Sequence, residues 1–143
     1  MKLDIDKIYN MLSCDNKVSV QESGIVEASK IQSLSVFILP ILEENSKSIW
    51  GNCAKVLVSK SNEELKPYYN KLFEWFKDMN WPGFDLIYDR LLQVPYSEIE
   101  TSLSVCLGLA QETNDYVWEN TLIIFKHQSR QSGDGSVIDP ENN

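Results

Sequence analysis

Glu74-Trp75-Phe76-Lys77-Asp78-Met79-Asn80-Trp81-Pro82-Gly83 is the stretch that decides the fold, because one strongly apolar helix ends within it and another begins with almost no linker. Its residues read as a helical corner. Asn80 is expected to cap the new helix through its side-chain oxygen, and Pro82 to sit in the first turn, where a missing N–H costs nothing. Asp78, Asn80, Pro82 and Gly83 together read as structural corner residues, flanked by two tryptophans. A corner of this kind positions helices and holds no reacting group.

Upstream, Leu65, Tyr68, Tyr69, Leu72, Phe73 and Phe76 recur at helical spacing and form a stripe wide enough for burial on both flanks. Ser61-Asn62-Glu63-Glu64 has capping-box spacing, and Pro67 predicts that the regular helix begins near Lys66, after a separate capping turn. Before it, Ile49, Trp50, Cys53, Ala54, Val56 and Leu57 form one apolar face from Ser48 to about Ser59. Residues 4–13 and 19–33 read as helices, and 34–42 as a further helical segment that Pro40 kinks or opens.

Downstream of the corner, Phe84, Ile87, Tyr88, Leu91 and Leu92 mark a helix that ends before Val94-Pro95. Ser97-Glu98-Ile99-Glu100 has the spacing of a second capping box, opening a helix buried through Ile99, Leu103, Cys106, Leu107 and Ala110. Gly108 in its interior costs about 1 kcal/mol against alanine, which points to a close helix approach. Asn114-Asp115 is expected to cap a last helix with Val117, Trp118, Leu122, Ile124 and Phe125 apolar.

Helix starts near Ser48, Trp81 and Asp115 are separated by 33 and 34 residues, the period of two-helix solenoid repeats. The expected fold is therefore all-α: a short right-handed α-solenoid of two-helix, HEAT-like repeats, with an irregular helical bundle as the alternative. The 143 residues fit one domain able to bury roughly two-thirds of the surface its unfolded chain exposes. Residues 1–126 are expected to form it, followed by a flexible tail over 127–143 that contains Gly133-Asp134-Gly135-Ser136.

Charge is uneven along the chain. Residues 1–80 hold 11 acids against 10 Lys or Arg, whereas residues 81–143 hold 10 acids against 3. The resulting acidic half disfavours phosphate backbones and favours a basic partner. Cys14, Cys53 and Cys106 are widely and irregularly spaced, and His127 is the single histidine, so no Cys–His zinc set is expected. Acids in Met1-Lys2-Leu3-Asp4-Ile5-Asp6-Lys7 do not suit a signal peptide, and the run around Val36–Leu42 is far short of the ~20 residues that cross a bilayer. With three unpaired cysteines, these features lead us to expect a cytoplasmic location and no membrane partner.

Trp50 to Arg90 resembles a bacterial family, a domain of unknown function, whose members carry an N-C-A segment and then E-W-L-Q-D-M-N-W-P-G. Those motifs stand here as Asn52-Cys53-Ala54 and Glu74 to Gly83, with Phe76 and Lys77 as the departures. The resemblance implies a HEAT-like helical repeat and a likeness in size and style to small proteins sited near bacterial toxin loci. It brings no catalytic residues.

Among candidate sites, Asp85 and Asp89 lie one turn apart on the polar side of their helix, and Asp115 and Glu119 repeat that spacing. If the first helices of successive repeats lie side by side, the four form one acidic strip suited to a basic protein. The plainer reading is an ordinary solvated face, with Asp115 serving the helix dipole. Two acids on one exposed helix do not meet the needs of a glycosidase, which sets carboxyls across a cleft. Trp75, Trp81 and Trp118 read first as fillers of inter-helix gaps, with Trp81 the most exposed. Cys53 and Cys106 read as small hydrophobes.

The expected function is a non-enzymatic protein-binding module, an immunity-type inhibitor that offers the acidic strip, with Trp81 at its margin, to a basic toxin domain. No metal and no cofactor is expected, and no nucleic acid. The alternatives are a HEAT-like nucleic-acid enzyme resembling a DNA glycosylase, which needs a basic groove, and a scaffold subunit.

Overall fold

The computed structural model describes residues 4–134, which are helical without any strand. Helix α1 (Ile5–Leu12) is capped by Asp4, whose carboxylate accepts from the backbone of Asp6 and Lys7. Helix α2 (Val18–Ala28) packs on it so closely that a Cβ on Gly24 would stand 2.8 Å from Met11 Cβ. This helix stops at Ala28, short of the expected residue 33.

The helix expected over 34–42 is reduced to a 3₁₀ turn, Leu34–Phe37. Leu39 then turns into the left-handed region at φ 47°, which no helix accommodates, and Pro40 follows. Side chains of neighbouring helices satisfy this segment instead of an i→i+4 ladder. Tyr9 donates its hydroxyl to the Val36 carbonyl at 2.7 Å, and Trp50 donates its indole N–H to the Pro40 carbonyl at 2.9 Å.

Helix α3 (Lys47–Val58) forms as its apolar face predicts and lies at the centre, touching α1, α2 and the helix that follows the corner. The next stretch winds unevenly: α4 (Asn62–Leu65), a 3₁₀ turn Lys66–Tyr68, α5 (Tyr69–Leu72) and a 3₁₀ segment Phe73–Lys77. Its start is the expected capping box: Glu64 N–H donates to Ser61 Oγ at 3.1 Å, and Ser61 N–H to Glu64 Oε1 at 2.9 Å. Hydrogen bonding to the carboxyl, by the Ser61 backbone first and its hydroxyl second, holds Glu64 below the usual carboxylate range. Pro67, with no N–H, sits where the winding tightens.

After the corner come α6 (Phe84–Leu92), α7 (Tyr96–Glu112) and α8 (Tyr116–Asp134). The second capping box does not form: α7 starts two residues early, with Pro95 at the N-cap and Ser97 already inside the first turn. Gly108 also departs from expectation. A Cβ there meets nothing within 4 Å, so its only effect is the helix-propensity loss. Gly108→Ala is expected to stabilise the protein by about 0.5–1 kcal/mol, read as a higher midpoint at unchanged slope in urea unfolding.

Asn114, at φ 56°, closes α7 in the left-handed conformation, and Asp115 caps α8 by accepting from Trp118 N–H at 3.1 Å. Helix α8 continues past residue 126 to Asp134 because Phe125 and Ser129 are still buried against the bundle. Of the expected tail, residues 135–143 lie outside the described residues.

Neighbouring helices pair in a simple order: α1 with α2, α3 with α6, α6 with α8, α5 with α7, and α7 with α8. An aromatic cluster joins three of these elements. Phe73 and Phe76 meet Phe125 of α8, and Phe76 meets Phe84 and Tyr88 of α6, all with ring centroids 5.2–5.5 Å apart. Edge-to-face and offset pairs of this kind add about 0.5–1.5 kcal/mol each beyond the area they bury.

Candidate protein-binding site

The corner is built by Asp78 and Gly83, with no cap from Asn80. Asp78 Oδ1 accepts from Asn80 N–H at 2.8 Å, which makes an Asx-type turn, and Trp81 N–H bonds the Asp78 carbonyl at 3.1 Å. Phe84 N–H then bonds the Trp81 carbonyl at 3.1 Å, closing a second turn with Pro82 and Gly83 at its centre. Gly83 has φ 89° and ψ −10°, the values a type II turn requires after a proline. Helix α6 therefore begins at Phe84, two residues after Pro82, with the Asn80 side chain playing no part in its cap.

The tryptophans bear out the packing reading. Trp75 and Trp118 are buried, donating their indole N–H groups to the Pro82 and Phe73 carbonyls at 2.9 Å each. Trp81 is half-buried and meets Trp50 edge-on at 5.3 Å.

Helix α6, set by this corner, carries Asp85 and Asp89 into a groove of about 380 Å³ against α8. Its walls are Met79, Phe84, Tyr88, Thr121 and Ile124. Met79 is 61% exposed and Ile124 49%, so the floor offers apolar surface to solvent. Tyr88 bonds Gln128 of α8 through its hydroxyl, and burial first, with Asp89 second, pushes its pKa up, so the phenol stays neutral near pH 7. Thr121 uses its hydroxyl on the Val117 carbonyl at 3.1 Å. Among the described residues, Asp85 and Asp89 are exposed and have no ion-pair partner.

Asp115 and Glu119 are not brought to this groove. At about 100° per residue, Ile124 lies about half a turn round α8 from Asp115, so the two pairs of acids flank opposite sides of that helix. Asp115 is half-buried and capping, and Glu119 accepts from Gln111 of α7 at 3.1 Å. A single four-carboxylate strip is therefore absent from these helices. The acids recur after 30 residues, short of the 33 and 34 that separate the helix starts, so they do not fall on equivalent faces of α6 and α8.

Met79, Tyr88, Thr121 and Ile124 were not legible as site residues. Val117 and Ile124 read as core by hydrophobicity alone, yet Trp118, Leu122 and Phe125 take the buried face and leave Val117 62% exposed. Cys53 and Cys106 are buried as expected, and burial pushes their thiols up to about 12 and about 11, which keeps both protonated and unreactive. No group of metal-ligating side chains occurs among the described residues, and no described helix is long and apolar enough to cross a membrane.

Residues 51–141 match the model of a family described as Domain of unknown function (DUF5071), and the chain belongs to that family. The match starts at Gly51, takes in both motif segments and runs through α6, α7 and α8, beyond the stretch that carries the resemblance. No curated protein and no solved structure matches the chain.

Proposed function

Starting from that family membership, we propose that this protein is a non-enzymatic binding module of the immunity type, which captures a basic toxin domain in the α6–α8 groove. The observation that carries the reading is the pair of unpaired carboxylates, Asp85 and Asp89, on either side of Tyr88 over an exposed Met79–Ile124 floor. A lysine or arginine of the partner fits it: the aliphatic stem packs on the floor while the head reaches a carboxylate. The formal net charge of −8 adds long-range attraction, which raises the rate of encounter.

We read the all-helical chain as a short right-handed HEAT-like solenoid, with an irregular helical bundle equally consistent with its contacts. The solenoid reading is supported by contacts of α3 with α6 and of α6 with α8, as first helices would make, and of α5 with α7, as second helices would make. The glycosylase-like alternative needs aromatic rings free to stack on bases, and the buried Trp75 and Trp118 are committed to the core. We place the module in the cytoplasm.

The test is affinity capture with the wild-type chain and with the Asp85→Lys/Asp89→Lys double variant. Wild type should retain a basic protein that the variant loses, with affinity reduced about tenfold or more and falling as salt rises. Unfolding midpoints of the two should agree, since both aspartates are exposed. Asp115→Lys should do the reverse, costing about 1 kcal/mol of stability through the lost cap with partner affinity unchanged. Equal capture by the double variant would remove the groove from consideration. Capture without relief of the partner's toxicity on co-expression would leave a scaffold instead of an immunity protein.

A further inference from the structure

A second concavity, of about 450 Å³, borders the same corner and is walled by distant stretches of chain: Ile38, Leu39 and Ile41 before α3, and Trp81 after the 3₁₀ segment. Trp50 of α3 stands between them. This volume lies in the range of small-molecule sites. The wall is held in place. Leu39 is fixed at φ 47°, a conformation costly for a bulky residue, and the next residue's carbonyl accepts the Trp50 indole N–H. Trp50 in turn braces Trp81 edge-on. Ile41 is left 83% exposed at the mouth.

The rim is rich in donors. Lys77 lies 3.9 Å from Glu74 and over the Trp118 ring at 4.6 Å, so both it and the only acid of the rim already have partners. Lys71 has no ion-pair partner among the described residues. Trp50, Trp75 and Trp118 each donate an indole N–H to a backbone carbonyl. Trp81 has no acceptor for its own among the described residues. An apolar floor thus carries one free ammonium and one free indole N–H, on a chain whose formal net charge is −8.

We propose that this pocket binds a small apolar carboxylate, its tail on Leu39, Ile41 and Trp50 and its carboxylate on Lys71 and the Trp81 N–H. Such a ligand satisfies both free donors and buries Ile41 at once. The site is separate from the acidic groove in position and opposite to it in charge, so it stands or falls independently of the proposed function.

Octanoate is the probe, with octylamine and octanol of the same chain length as controls. Titrated into the full ¹⁵N-labelled chain, octanoate should shift the indole N–H resonance of Trp81 to saturation and bind about tenfold more tightly than octylamine or octanol. Lys71→Glu should weaken octanoate about tenfold, whereas Lys71→Arg should retain it; Lys71 is exposed, so neither change disturbs folding. Trp81→Phe should weaken binding while keeping most of the aromatic wall. Non-saturating shifts, equal affinity for octanol or octylamine, or indifference to Lys71→Glu would each overturn the proposal.

Discussion

Replacing Gly83 by alanine is expected to cost about 2–5 kcal/mol, a large part of the stability of a domain this size. Two effects add. At φ 89° an L side chain is strained, at about 1–2 kcal/mol. A Cβ at this position would also stand 2.7 Å from Ala54 Cβ, 3.1 Å from the Trp50 carbonyl oxygen and 3.2 Å from Trp75 Cζ2. None of the three has room to yield: Ala54 and Trp75 are fully buried, and the carbonyl belongs to the α3 ladder. The turn must lift off α3, taking the start of α6 with it.

Urea unfolding of wild type, Gly83→Ala, Ala54→Gly and the double variant separates the two effects. Removing the Ala54 methyl should recover part of the clash and leave the backbone strain, giving a favourable coupling of about 1 kcal/mol between the sites. A Gly83→Ala loss below about 0.5 kcal/mol would mean that the corner does not rest on α3 as described.

This contact also explains what the sequence could and could not say. The two motif segments, Asn52-Cys53-Ala54 and Trp81-Pro82-Gly83, were visible as strings but not as partners. In space a small residue at 54 is needed because the Gly83 backbone lies on it. Helices with strong periodicity and the Ser61–Glu64 box were legible because their causes are local, a few residues apart. Failures came where a tertiary partner decided the outcome. The 34–42 segment has enough apolar residues for a helix, yet Tyr9 and Trp50 bind its carbonyls across a 3₁₀ turn and a left-handed Leu39. Asn80 has a capping side chain, but the Pro82-Gly83 turn delays the helix to Phe84 and leaves Gly83 at the N-cap. At the candidate site, Asp85 and Asp89 were readable as exposed acids on a helix. Met79 and Ile124 were not, because their exposure depends on how α8 is rolled against α6.

Asn52 poses the same question two residues before Ala54 in α3, and here the expected effect of Asn52→Leu is a loss of about 2–4 kcal/mol. Asn52 is 5% exposed, and its amide donates 2.8 Å bonds to the Leu12 carbonyl and to Gln21 Oε1. Leu12 ends α1, where carbonyls have no partner within the helix, so Asn52 acts as the cap of α1 from a different helix. Gln21 passes the order on, donating to the Asn16 carbonyl at 2.7 Å in the loop between α1 and α2. Leucine preserves the volume and removes both donors. A buried carbonyl left unsatisfied costs about 1–3 kcal/mol, and loosening of Gln21 adds to it.

The loss should be local in character. Residues 5–28 lie before the matched family region and contact it mainly through α3, so hydrogen exchange should quicken in α1 and α2 first, with α6, α7 and α8 still protected. Gln21→Leu combined with Asn52→Leu should cost less than the two separate losses added, since the second change removes a group the first has already stranded. Uniform loss of protection along the chain would contradict this capping role. So would full additivity, because it would deny that Asn52 and Gln21 act through one hydrogen bond.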